Sequence, residues 1–353
     1  MQGLRQGRFV RLLVAATLAA AGIVPAVLAA TAVPAAATAA TAATAATAAA
    51  YLPAVLGTDA DNLGSLDATL SAMGVARLDW NTSYMSQSQD LDTALLNGEA
   101  ARWINHHIVT IETWDTLAHI GAGAQDANMS RIAGQMKTWV AAHPGHEIIV
   151  RPLHEANGTF YPWTFGGDNP NHNTPAQFGP AWQRIRNTMR TAFPGLSFYW
   201  CPNILRDGKT SFANFYPGND NTEYVGDDGY NRSTSDGASD PYSWRTPTNV
   251  RQATITAIRA LAPLDKPYIV GETGSSEPAS GAAQNGHSKA QWDQQLGEWM
   301  RTVAPAYNVI LVNYFDHPAT ADNPNDWRIY PVPLSTATAS RAAFRQYVSV
   351  FAS

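Results

Sequence analysis

Two stretches of the chain each set a glutamate where an apolar run stops: Arg151-Pro-Leu-His-Glu-Ala-Asn-Gly-Thr-Phe-Tyr-Pro-Trp163 and Tyr268-Ile-Val-Gly-Glu-Thr-Gly-Ser-Ser276. Side chains alternate along a strand, so counting back in twos puts Leu153, Arg151 and Ile149 on the side of Glu155. The same count puts Val270 and Tyr268 on the side of Glu272. Both carboxylates are therefore expected at strand ends facing one space. An isolated buried carboxylate is costly, so each needs partners, and salt bridging alone is the plain alternative. The chemistry that requires such a pair is glycoside hydrolysis. One carboxyl group protonates the leaving oxygen while the other attacks the anomeric carbon or activates water. Separation sets the stereochemistry, at about 5–5.5 Å for retention and roughly 6.5–9.5 Å for inversion.

Two acids far apart in sequence need a scaffold that brings strand ends together. Short runs rich in Val, Ile, Leu and aromatics alternate with stretches of helical period from Tyr51 onward, which points to repeated βα units. The strand candidates are Leu52–Gly57, Ala76–Trp80, Ile108–Thr113, Glu147–His154, Leu196–Pro202, Tyr224–Tyr230, Pro267–Glu272 and Val309–Phe315. Covering helices are expected within Met129–His143, Ala176–Ala192, Thr248–Ala262 and Lys289–Ala304. Eight such units over about 300 residues predict a single (β/α)8 TIM barrel, an α/β fold. Polar and aromatic clusters close many of these strands: Asp79-Trp80, Glu112-Thr113-Trp114, His154-Glu155, Trp200-Cys201, Tyr230-Asn231, Glu272-Thr273 and Phe315-Asp316. Barrel enzymes build their sites at that end.

Composition narrows the classes. The 353 residues are 45% hydrophobic and only 14% charged, which excludes a disordered chain. With 23 basic against 28 acidic side chains and no Lys/Arg block, nothing offers a footprint for nucleic acid or an anionic membrane surface. The single cysteine, Cys201, excludes an internal disulfide framework and a cysteine zinc site. His106-His107 is no zinc pair either, because adjacent strand residues point to opposite faces. Arg5, Arg8 and Arg11 precede an apolar run from Leu12 to Ala30, so residues 1–30 read as a secretory signal peptide, with an uncleaved anchor as the rival. Residues 31–50 read as an Ala/Thr-rich linker, and residues 51–353 as the catalytic domain of a secreted monomer.

The Arg-Pro-Leu-His-Glu-Ala-Asn-Gly run with its Tyr-Pro-Trp, and Gly-Glu-Thr-Gly farther on, resemble glycoside hydrolase family 26. Gly229-Tyr230-Asn231 and Asp326-Trp327-Arg328 add to the resemblance. That family is best known for β-mannanases and belongs to a clan of retaining barrel hydrolases. The resemblance implies that Glu155, after strand four, is the acid/base and that Glu272, after strand seven, is the nucleophile. It further implies that Tyr230 hydrogen-bonds the nucleophile and that His154 orients site groups or the sugar. An ordinary barrel tyrosine and a satisfied core histidine are the plain readings of those two. No cofactor and no metal are implied.

Sugar rings present C–H faces on which flat side chains stack. Trp114, Trp163, Trp200, Trp244 and Phe315, at or after strand ends, are the substrate-binding candidates, together with Asn157 and Arg151 of the motif. Arg151 could equally neutralise the carboxylates. Trp103, Trp139, Trp182, Trp292 and Trp299 lie on helical stretches and are expected to be buried. The loops Gly166–Thr174 and Asp316–Asp326 have the oxygen ligands for calcium, although turn chemistry accounts for the same composition. Ala156 stands where methionine is frequent in the family, and Phe315 where tryptophan is common among barrel glycosidases, so the substrate stays open: β-mannan first, then mixed-linkage β-glucan or β-1,3-xylan. From other classes, a non-catalytic carbohydrate-binding barrel and a metal-dependent hydrolase are the rivals.

Overall fold

The structure is a computed structural model describing residues 54–167, 169–205, 211–232, 243–276, 287–317, 327–329 and 337–352. The expected signal and linker lie outside them. Among the described residues, eight parallel strands close into a barrel in sequence order, β8 pairing β1. The strands are β1 (Val55–Asp59), β2 (Trp80–Ser86), β3 (His106–Glu112), β4 (Glu147–Pro152), β5 (Ser197–Trp200), β6 (Tyr224–Asp228), β7 (Tyr268–Thr273) and β8 (Val309–Phe315). The helices are α1 (Leu63–Met73), α2 (Thr93–Ala100), α3 (Leu117–Gly121), α4 (Asp126–Ala142), α5 (Pro175–Ala192), α6 (Pro247–Arg259), α7 (Lys289–Thr302) and α8 (Ala337–Tyr347). The fold is the (β/α)8 barrel the strand periodicity implied.

Each helix forms where local chemistry favours it. α5 opens on a Thr174/Gln177 capping box with Pro175 in its first turn, and buries Phe178, Ala181, Trp182, Ile185 and Met189 on one stripe. α1 is capped by Asn62 and stopped by Gly74 in the left-handed conformation. The strands divide their side chains between two cores. Val109, Val150, Phe198, Val225, Val270 and Val312 face the helices. Trp80, Ile108, Ile149, Tyr199, Ile269 and Leu311 fill the barrel's interior below the site.

Only β8 has both ends as expected; β3, β5, β6 and β7 differ by one or two residues at an end, with Tyr230 lying past the end of β6, and the other three differ as follows. β2 begins at Trp80 rather than ending there, so Asp79 and Trp80 sit at the amino end of the barrel, where Trp80 stacks on His106 at 4.1 Å. The polar run Trp-Asn-Thr-Ser-Tyr-Met-Ser hid this strand, yet its inward positions suit a polar barrel mouth: Thr82 accepts from Asn313 at 2.8 Å. β1 is shifted toward Asp59, and β4 stops at Pro152 instead of His154.

Candidate active site

Glu155 does not reach the mouth by strand alternation. Past Pro152, Leu153 and Glu155 both adopt positive φ, 51° and 50°. For non-glycine residues this costs about 1–3 kcal/mol each. The kink sends Leu153 into the helix-facing core, away from Arg151, and turns Glu155 inward. Two bonds hold it there, from Glu155 N to Cys201 O at 2.8 Å and from Gly158 N to Glu155 O at 2.7 Å. Its Oε1 accepts from Asn203 Nδ2 at 2.6 Å. Asn157 in turn accepts from Asn203 N and donates to Asn203 O, both at 2.8 Å. Both ends of its amide thus engage the Asn203 backbone, so Asn157 holds Asn203 in place.

Glu272 also arrives by an irregularity. Tyr268 and Val270 face the outer core, so plain alternation would send Glu272 outward. The pairing register of β7 shifts against both neighbours, beside Asp228 in the pairing with β6 and between its own Val270 and Thr273 in the pairing with β8, and the side chain turns into the barrel. A Cβ on Gly271 would lie 2.5 Å from Asp228 Oδ1 and 2.9 Å from Arg151 Nη1, so glycine leaves room for that ion pair. Glu272 Oε1 accepts from Arg151 Nη2 at 2.8 Å and from the Tyr84 hydroxyl at 2.5 Å. Its Oε2 accepts from the Tyr230 hydroxyl in a short bond. Burial would raise the carboxyl's pKa, but the Arg151 guanidinium foremost, with the hydrogen bonds of the two phenols, holds it below the usual range.

Arg151 is fully buried, and its donors are all engaged: Nε on Thr110 at 2.7 Å, Nη1 on Asp228 at 3.1 Å, Nη2 on Tyr84 and Glu272. It touches no solvent, so it neutralises carboxylates and is no substrate contact. Burial, then Glu272, pushes Asp228 well up, and the buried Cys201 thiol donates to it at 3.0 Å. Glu155, Asp228 and Glu272 each offer an oxygen within 4.8 Å of the others'. The guanidinium between Asp228 and Glu272 already fills the place of a cation there.

His154 is buried beside this group with neither ring nitrogen hydrogen-bonded. Burial, then Arg151, lowers its pKa to about 3, so the ring is neutral. It lies edge-on to Tyr84 at 6.1 Å and 4.7 Å from Tyr161. The satisfied core histidine is therefore not what the structure holds.

The expected aromatics divide. Trp163 is fully buried, donates to His154 O at 2.9 Å and stacks on Tyr161 at 4.4 Å. Trp200 is buried among Phe212, Phe215 and Tyr216 in the outer core. Neither offers a face to a sugar, and both leave the substrate-binding set. Trp114 is 50% exposed at the end of β3, edge-on to Trp163. Trp244 is half-buried, stacked on His287, and Phe315 is half-buried beside Tyr230. Phe160, not foreseen, is 64% exposed at a cavity of about 60 Å³ lined also by Asn157, Asn203 and Ile204. Trp103 overturns another expectation, lying outside any helix, 66% exposed, at φ 68°. Trp139, Trp182, Trp292 and Trp299 are buried as expected.

Sequence reasoning missed Tyr84 and Asn203. Placing β2 at its true start would have put Tyr84 on the inward face, and Asn203 closes the cluster opened by Trp200-Cys201. In the loop 166–174, Asn169 and Asn173 accept from the backbone N–H of Asn171 and Leu117, so their oxygens serve turn chemistry rather than a calcium cage. Most of the second loop, 318–326, lies outside the described residues. His106 and His107 take separate partners, Asp79 and Glu99, as the strand period requires.

Comparison with known proteins gives the family. The profile of glycosyl hydrolase family 26 matches residues 89–307. Endoglucanase H of Acetivibrio thermocellus is 29% identical over 265 residues, 74% of this chain and 26% of that protein. Mannan endo-1,4-beta-mannosidase A and B of Caldalkalibacillus mannanilyticus is 30% identical over 141 residues, 39% of this chain and 24% of that protein. The match thus spans about a quarter of either relative's length. A Bacillus subtilis mannanase structure superposes with a TM-score of 0.54 at 16% identity, covering 83% of this chain and 86% of that one, a likeness of fold. With the profile covering more than half of its length, the chain belongs to glycosyl hydrolase family 26.

Proposed function

We propose that the chain is a secreted, monomeric endo-β-glycosidase that cleaves β-mannan by double displacement with retention. The observation that carries this reading is the approach of a Glu155 oxygen to within 4.8 Å of a Glu272 oxygen, which supports the closer-set pair of the retaining class. Glu272, held anionic by Arg151, attacks the anomeric carbon while Glu155 protonates the leaving oxygen. Burial first, and Glu272 next for Tyr230, raise the Tyr84 and Tyr230 hydroxyls well above 10, so both remain donors that orient the nucleophile. Once Glu272 is esterified its charge is gone, repulsion on Glu155 falls, and Glu155 takes a proton from water. The unpaired nitrogens of neutral His154 suit a sugar hydroxyl. Trp114, Phe160, Trp244 and Phe315 supply stacking faces.

A β-glucan reading is the second, favoured by one observation: the endoglucanase relative aligns over 74% of this chain, the mannosidase over 39%. Secretion rests on the Arg-flanked apolar segment, outside the described residues; no described helix is long and apolar enough to cross a membrane. Digests of mannans, barley glucan and β-1,3-xylan, with products sized by chromatography, test the substrate. Mannan oligosaccharides of several lengths are expected. Retardation in a polysaccharide gel with no reducing ends released would show a binding barrel instead, and loss of activity in excess chelator would show a metal enzyme.

A further inference from the structure

The Tyr84 hydroxyl meets three groups at once. Arg151 Nη2 donates to its oxygen at 2.9 Å, Glu272 Oε1 lies at 2.5 Å, and Asp59 Oδ2, at the end of β1, lies at 2.9 Å. A phenol has one proton. If both carboxylates were ionised, one of them would face a phenol lone pair at hydrogen-bond distance, which is repulsive. One must bring its own hydrogen. Glu272 has a guanidinium and a second phenol to hold its charge. Asp59, fully buried, has one cation in reach among the described residues, His317 Nε2 at 3.4 Å from Oδ1.

We propose that Asp59 positions the nucleophile through Tyr84: in its acid form it donates to the phenol oxygen and sends the phenol proton to Glu272, and in its ionised form it draws that proton to itself. The inference rests on Glu272 as the nucleophile. The groups facing Asp59 are His317 after β8, Asp61 after β1, Tyr84 on β2 and Glu272 on β7, with Arg151 of β4 reaching it through the phenol. Burial pushes Asp59 up to about 6, against the pull of His317, which burial opposes and Asp59 raises to about 9. A raised carboxyl keeps its proton longer, so Glu272 loses its phenol donor as pH climbs through about 6.

The test is kcat/KM against pH for the parent and Asp59→Asn, whose amide N–H donates to Tyr84 at every pH. The ratio of variant to parent should rise about tenfold between about pH 5 and about pH 8, the effect of one hydrogen bond to a charged group. In a Tyr84→Phe background the same substitution should leave the ratio flat. A flat ratio in the parent background, with Glu272→Ala inactive, overturns the role of Asp59 alone; activity in Glu272→Ala overturns the underlying reading. Should Asp59→Asn fail to fold, carbon-13 NMR of labelled aspartates replaces it. One carboxyl should titrate near 6 and move to higher pH in His317→Gln, which removes the cation; no aspartate titrating near 6 whose midpoint moves in His317→Gln overturns the proposal.

Discussion

The two glutamates meet in one buried cluster and keep different company. Glu155 accepts from a neutral amide, Asn203, itself clamped by Asn157. Glu272 has Arg151 and two phenols on its two oxygens. A group that must carry a proton at one step and release it at the next suits a neutral donor such as Asn203. One that must stay anionic to attack suits a buried cation. The contrast supports the proposed roles from environment rather than from position along the chain.

Removing each acid sharpens that contrast most. Glu272→Ala should lower kcat by about 10⁴-fold or more on every substrate. Glu155→Ala should cost about 10²–10⁴-fold on polysaccharide but little on aryl glycosides with good leaving groups, and azide should restore its rate. Equal losses on both substrates would erase the distinction. Next in size, Arg151→Met strips the nucleophile of its cation. Glu272 then rises toward and past the ordinary carboxylate range, so the acid limb of kcat/KM should move to higher pH. Leaving Asp228 unpaired in the interior should also lower stability by about 3–5 kcal/mol, read by denaturant unfolding. An unmoved limb would mean that the guanidinium does not hold Glu272 ionised. The smallest effect belongs to Asn203→Ala, about tenfold in kcat/KM with the basic limb displaced, since one donor to Glu155 Oε1 is lost and the fold is kept. A change confined to the acid limb would place Asn203 on the wrong glutamate.

The sequence made the barrel and both acids legible, though not the reason they meet. Apolar runs spaced by amphipathic stretches are a long-range signal that survives errors of a few residues at each end. Counting in twos is local and fails where the backbone departs from a strand. At Leu153 and Glu155 two left-handed residues break the period, and at Glu272 a shifted register does so. Tyr84 stayed hidden because a barrel mouth accepts polar inward residues, so its strand lacks an apolar signature. Trp163 and Trp200 misled in the opposite sense, since a large ring near a strand end can close the core as readily as line a groove. Arg151 was ambiguous until its partners were visible.

The proposed account turns on attack by Glu272 at a sugar carbon, and capture of the covalent adduct tests it most directly. The enzyme would be treated with 2-deoxy-2-fluoro mannosyl and glucosyl donors bearing good leaving groups, digested, and its peptides mapped by mass spectrometry. The account predicts one sugar ester, on Glu272. An adduct on another side chain, or none while the donor turns over to the inverted anomer, would contradict it.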